Sequence, residues 1–394
     1  MIQNHNLEPA KSSSADKRRV LSSGPIGWRN WRAQQLGTRR SPDAYELGLF
    51  SDSRFIDHLH GLGPYDITNT IAHGPPTAGV LAMPLVLRVE EYGRSYIDPL
   101  PQMDKPTIGT WHGGWLADEL AALLSVVLGV RCMAGGVIRR YHGARDRGVP
   151  MQTEQIPSAP PPPQRSTTPQ IPNCIRRVDL GPARKLMEAY PRLSPGTATA
   201  LLRAARQYQQ ALWIADGDPN TAWLQLVSAV EVLAVHELVD DQRPSEIVSH
   251  MWPEMADALA LAPANVRNDV SELLAPQLKA AARYRRFLRR FSPPAPDERP
   301  AYGRVDWRKL PRAVNQVYTL RSVALHTGVP FPISMCMPPY QDDDGRYVER
   351  DFSLGVGSGD AYWSADQLPM LLHTYAYIVG GAIRRWWREK AGIE

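Results

Sequence analysis

Tyr318-Thr319-Leu320-Arg321-Ser322-Val323-Ala324-Leu325-His326-Thr327-Gly328 decides how the rest of this chain is read. Its residues have helical character up to Thr327, and Gly328 is a natural stop. Arg321 and His326 stand on that helix with four residues between them. A guanidinium holds two phosphate oxygens in a bidentate fork, and an imidazole moves a proton near neutral pH. Together they suffice to cleave RNA without a metal.

Working outward, the second half of the chain reads as helices. Thr197 to Ala215 carries Leu201, Ala204, Ala205, Tyr208 and Leu212 at three- and four-residue spacing. Asp216-Gly217-Asp218-Pro219 breaks it, and Pro219 suits the first turn of the next helix. That helix holds Trp223, Leu224, Val227, Val230, Glu231, Ala234 and Leu238. A third helical zone covers 254–290, a fourth helix ends in the Arg–His pair, and a last one runs from Ser364 to Lys390. Met370 to Ile383 within it, interrupted by His373, is expected to be buried inside the protein. Five helices with short turns predict a bundle over 195–394.

Glu231 falls on an apolar stripe, four residues after Val227 and seven after Leu224. A buried carboxylate needs a partner. Arg321 is the expected one, with Glu231 either holding the Arg321 rotamer or forming a purely structural ion pair. The run Arg283-Tyr284-Arg285-Arg286-Phe287-Leu288-Arg289-Arg290 packs five cations and two aromatics into eight residues. It is read two ways: as an RNA-tracking stretch with stacking rings, or as a helix end whose cations suit the dipole while Tyr284 and Phe287 pack inward.

The stretch from Trp223 to Ala234, the stretch from Tyr318 to Gly328, and a terminal amphipathic helix after a long loop resemble the HEPN domain family, in its Apea-like branch, over about 195–390. The resemblance implies a helical bundle, commonly dimeric, and metal-independent RNA cleavage in active members. It places Arg321 and His326 on the family's motif positions. Ser322 stands where the family often has Asn, Asp or His, and a serine hydroxyl still reaches a phosphate.

Geometry bears on the pair without the family. Five helical steps put Arg321 and His326 about 140° apart around the axis and about 7.5 Å apart along it. One copy is a poor complete site. Two copies across a two-fold axis would present both groups on each side of a phosphate.

The first half is different. Residues 1–45 are polar and rich in Arg and Ser, and are expected to form a flexible basic arm. Residues 46–150 read as an α/β domain, with a strand over Leu81 to Val89 and a helix from Asp118 to Leu128 that Gly129 ends. Ala134-Gly135-Gly136 reads as a turn before Val137 to Tyr141. Seven prolines in 151–172 mark an extended spacer, so 151–194 is expected to be a linker between the halves. That separation makes 46–150 an expected sensor, taking a ligand or regulatory protein. The overall expectation is α+β.

Composition narrows the classes. The 394 residues carry a net charge of +5, mostly through arginine. The three cysteines, Cys132, Cys174 and Cys336, are odd in number and widely spaced, which argues against a disulfide framework or zinc site and for a reducing, cytoplasmic setting. Leu120 to Val130 is too short to span a bilayer. There is no Walker motif, nucleophile elbow or HExxH; Asp57-His58 with His60 could bind a metal but has no partner cluster and reads better as a surface loop, and Asp342 to Asp344 lacks the spaced ligands of a calcium loop. No cofactor, metal or membrane partner is expected. The leading expectation is an endoribonuclease of a defence or toxin-like type, acting as a homodimer or higher oligomer. The rival is a non-catalytic module that binds RNA, a nucleotide or a protein. A third reading is a scaffold that only dimerises.

Overall fold

Two periodicities divide the molecule, a two-residue one before the prolines and a helical one after. The computed structural model describes residues 24–71, 74–92, 109, 111–143, 146–164, 167–237 and 243–393. In the first half lie α1 (Ile26–Gln35), β1 (Arg40–Ser51), β2 (Arg54–Ile56), β3 (His58–Leu62), β4 (Tyr65–Asn69), β5 (Ala82–Tyr92), α2 (Leu116–Leu128), β6 (Met133–His142), β7 (Val149–Pro150) and β8 (Arg177–Asp179). Six strands form an antiparallel sheet in the order β3-β4-β5-β1-β6-β7, while β2 pairs in parallel with β8. The second half holds α3 (Arg184–Glu188), α4 (Pro195–Ile214), α5 (Pro219–Glu237), α6 (Pro244–Met251), α7 (Pro253–Ala260), α8 (Ala264–Phe291), α9 (Leu310–Thr327), the hairpin β9 (Gly355–Ser358) and β10 (Ala361–Ser364), and α10 (Leu372–Ala391). The chain is α+β. Among the described residues, no helix is long and apolar enough to cross a membrane.

The sheet has one dry face. Leu85, Leu87 and Val89 of β5 and Leu49 of β1 are fully buried. The alternate residues Glu46, Arg88 and Arg139 form ion pairs on the other face, at 3.8 Å (Arg88–Glu46) and 3.4 Å (Arg139–Glu46). This alternation is what an antiparallel sheet with one solvated side requires. Helix α2 lies on the dry face and also packs against α4, so sheet and bundle share one hydrophobic core. Gly129 closes α2 in the left-handed region at φ 67°.

Five expectations need correction, the start of the last helix among them: Ser364 ends β10, and α10 begins at Leu372. The arm does not extend to residue 45: α1 and β1 occupy much of 24–45, and residues 1–23 lie outside the described part. Trp28 and Trp31, three residues apart and therefore on one helix face, are both buried. The first amides of α1 find their acceptor far away: both Ile26 N–H and Gly27 N–H donate to the Glu119 carboxylate at 2.8 Å. His112 Nε2 lies 2.9 Å from that same carboxylate.

Residues 151–194 are not a free linker either. Trp213 Nε1 donates to Ser158 O at 3.1 Å, Pro160 is buried, and Ile171, Cys174, Leu186, Met187 and Tyr190 belong to the core. An extended proline segment has no internal hydrogen bonds. Its carbonyls are therefore open to donors from the bundle. Gly135 and Gly136 do not turn. They sit inside β6, where a Cβ would collide with Phe50 or Thr153. Finally, the zone 254–290 is two helices, split before Ala264, and α6 precedes them. Pro263 stands just ahead of α8 with extended backbone.

One cation ties these pieces together. Arg131, fully buried, bonds Asp52 through Nη1 at 2.8 Å and Asp216 through Nη2 at 2.5 Å. Its Nε donates to Leu212 O at 2.6 Å. Asp216 also accepts from Gln170 N–H at 2.6 Å. Removing this guanidinium strands two buried carboxylates. Arg131→Met is expected to lower unfolding free energy by about 3–5 kcal/mol in urea titration. Adding Asp52→Asn and Asp216→Asn should recover part of it. An unchanged midpoint in Arg131→Met would contradict this role.

His373, at the start of α10, gives a pH signature. Its Nε2–H donates to Val348 O at 2.7 Å, and burial pushes its pKa down from 6.5 to about 4. The unfolded chain therefore takes up this proton first as pH falls. Stability from the neutral ring is whole above 6.5 and declines towards 4, by at most about 3 kcal/mol. His373→Gln, which keeps a donor, should show a shallower decline over that window in chemical denaturation. Parallel curves would contradict the assignment.

Candidate functional site

Helix α9 builds the site through its spacing. Leu310, Val314, Val317 and Tyr318 are buried along one stripe. Arg321, three residues beyond Tyr318, continues that stripe towards α5. The helix stays regular to Thr327, and Gly328 caps it at φ 75° with its N–H on Ala324 O at 3.2 Å. The helical geometry therefore holds through both motif residues, which remain about 140° apart around the axis.

Arg321 meets Glu231 as its sequence position predicts. Arg321 Nη2 donates to Glu231 Oε2 at 2.6 Å, each side chain being 19% exposed. Tyr318 completes the clamp: its hydroxyl donates to Glu231 Oε1 at 3.1 Å, and the Arg321 guanidinium carbon lies 5.5 Å from its ring centre. Burial, then the Glu231 charge, pushes the Tyr318 phenol up to about 12, so at neutral pH it is a hydrogen-bond donor. Arg321 Nε is buried without a hydrogen-bond partner among the described residues. The guanidinium is thus fixed at one edge and keeps donor capacity elsewhere.

Behind the clamp stands a ladder of aromatic rings. Tyr318 packs on Tyr284 at 4.7 Å between centres, the Tyr284 and Tyr375 hydroxyls are 2.7 Å apart, and Tyr375 stacks on Trp223 at 5.0 Å. Trp223 stacks in turn on Phe331 at 5.3 Å. Helices α5, α8, α9 and α10 all contribute, so the position of Glu231 depends on the packing of the whole bundle.

His326 is exposed in the last turn of α9. No hydrogen bond or ion pair holds its ring among the described residues. Ser322 is half-buried beside Arg321. Val323, Leu325 and Val329, on and just after the same helix end, are 37%, 52% and 48% exposed.

The arginine run divides. Tyr284, Phe287 and Leu288 are buried and Arg286 and Arg289 are exposed. Arg290 bonds Glu237 at 3.2 Å and Glu389 at 2.6 Å. Arg285 is partly buried with Nη1 3.6 Å from Met251 Sδ, and burial pushes its pKa down. Arg283 is half-buried. Among the described residues the run thus offers two exposed cations outside any ion pair, Arg286 and Arg289. Trp386 and Trp387 of α10 are both in the core. His58 and His60 sit on β3 with rings 5.2 Å apart, and no group of three metal-ligating side chains forms among the described residues.

Sequence reasoning missed Tyr318, Tyr284 and Tyr375 as parts of this site. For Tyr318 the signal was available, since a residue three before Arg321 shares its helix face. No family model, curated protein or solved structure matches this chain.

The clamp is measurable. A double-mutant cycle with Glu231→Ala and Arg321→Ala should give a coupling of about 1–3 kcal/mol in unfolding free energy. Additive effects would show that the two groups do not support each other.

Proposed function

We propose that this chain is a metal-independent endoribonuclease of the HEPN type, working as a pair of copies. The observation that carries the reading is the contrast on α9: Arg321 is held by Glu231 at 2.6 Å, while His326 is free in solvent one and a half turns further on. A clamped cation suits binding of a phosphate, and a free imidazole suits proton transfer.

In the proposed reaction the ribose 2′-oxygen attacks the adjacent phosphorus. The O2′–P bond forms and the P–O5′ bond breaks. One imidazole takes the 2′-hydroxyl proton, and the imidazolium of the second copy's His326 gives a proton to the leaving O5′. Arg321 stabilises the charge on the equatorial oxygens, and the Ser322 hydroxyl orients the phosphate. The apolar rim of Val323, Leu325 and Val329 supports pairing of two copies through this helix end. Arg286 and Arg289 are the exposed cations of α8 that would carry the flanking backbone.

A non-catalytic reading has its own support, because Arg321 is already satisfied at one edge by a carboxylate. Under it the same face would bind RNA or a protein without cleaving. The sheet half as a sensor, a defence or toxin-like role and a cytoplasmic setting belong to the proposal as context.

The test is cleavage of mixed cellular RNA in EDTA. His326→Ala is expected to lower the rate at least about a hundredfold, and Arg321→Ala to do likewise, at matched folding and association state. Equal rates in wild type and His326→Ala would refute the assignment, and no cleavage by wild type would favour the binding module.

A further inference from the structure

A cavity of about 540 Å³ opens at the far end of the motif helix. Its wall includes Val329 and Phe331, from the segment that leaves α9, together with Trp363 of β10 and Pro163 of the proline stretch. Val329 is three residues past His326, so their Cα atoms are at most about 11 Å apart. Phe331 N–H donates to Asn220 Oδ1 at 2.9 Å, which fixes this segment to the start of α5. Phe331 is also the last ring of the ladder that ends at Glu231 and Arg321. Cavity and clamp thus belong to one packed unit.

The chemistry of the wall is selective. Its size is that of a small-molecule site. Among the described residues that line it there is no Lys or Arg. It is rich in acceptors instead. Asp216 is engaged by Arg131, but Asp218 is exposed and, among the described residues, its carboxylate holds Thr221, by N–H at 2.9 Å and by hydroxyl at 2.5 Å. A carboxylate has lone pairs beyond those two. Gln170 gives its Nε2–H to Cys336 O at 2.8 Å, and its Oε1 is buried with no partner among the described residues. Trp363, partly buried against the core, lines the wall with an aromatic side chain.

An aromatic surface and acceptors with lone pairs to spare fit a planar heterocycle that carries an exocyclic amine. We propose that this cavity takes an amino-bearing nucleobase, adenine, cytosine or guanine, of the RNA whose phosphate lies at Arg321. Uracil suits it poorly, since its only ring donor in a polynucleotide is flanked by two carbonyls that would face the carboxylate. The proposal rests on the ribonuclease reading for the origin of the base, but not for binding itself.

Calorimetric titration of the full chain with adenosine, cytidine and uridine tests it. Adenosine and cytidine should bind saturably, and uridine roughly tenfold more weakly or less. Trp363→Ala should weaken adenosine binding by about tenfold or more. Ala361→Trp, which fills the cavity mouth from the hairpin without removing core, should do the same with an unchanged circular dichroism spectrum. A short adenine-containing RNA should displace adenosine, whereas an all-uracil one should not. Absence of nucleoside binding, or full binding by Ala361→Trp, would overturn the proposal. Binding without displacement by RNA would overturn its RNA origin and leave a free nucleoside as the ligand. RNA cleavage with no nucleoside binding would defeat the cavity alone. Nucleoside binding retained in a chain that cleaves nothing would defeat only the ribonuclease reading.

Discussion

Burying Arg131 is the constraint from which the architecture follows. A guanidinium with no access to water needs nearly all its donors answered, and here the answers come from three places: Asp52 beside the sheet, Asp216 after α4 and the Leu212 carbonyl. Desolvating three charges is costly, and the geometry that offsets it exists only when sheet and bundle are docked. The same Asp216 fixes Gln170, which brings the proline stretch onto the bundle. The two halves are therefore joined by packing as well as by the chain. What reads as a tether in the sequence is a strap.

Precision at the candidate site is built similarly, by indirect support. Arg321 would lose rotamer freedom only at a cost, and Glu231 and Tyr318 meet that cost with two hydrogen bonds to one carboxylate. Glu231 is in turn positioned because the Tyr318, Tyr284, Tyr375 and Trp223 rings fill the space between four helices. His326 has the opposite character. It is exposed, and no hydrogen bond or ion pair among the described residues holds its ring. Arg321 is held and His326 is not, a contrast that the proposed proton transfer at a bound phosphate would use.

How much of this was legible depended on how local each cause was. Gly129 and Gly328 end their helices through their own backbone freedom, so α2 and α9 were readable. Glu231 was readable as a charge on an apolar stripe in need of a partner. Helix α1 was not, because its first amides are capped by Glu119, 93 residues away in the chain and invisible to any window. Gly135 and Gly136 were misread because their cause is the close approach of Phe50 and Thr153 rather than a turn. The arginine run was readable in part: Tyr284 and Phe287 pack inward, as one of its two readings had it, but the Glu237 and Glu389 partners of Arg290 come from other helices.

The central claim is that a 2′-oxygen is the nucleophile and that Arg321 and His326 serve it. The most direct measurement uses a DNA oligomer carrying a single ribonucleotide, incubated with the protein in EDTA, with the product ends identified by mass. The account predicts a single cut, immediately 3′ of the ribonucleotide, leaving a 2′,3′-cyclic phosphate and a 5′-hydroxyl. Cutting at deoxynucleotides, or a 3′-hydroxyl end at the ribonucleotide, would contradict it.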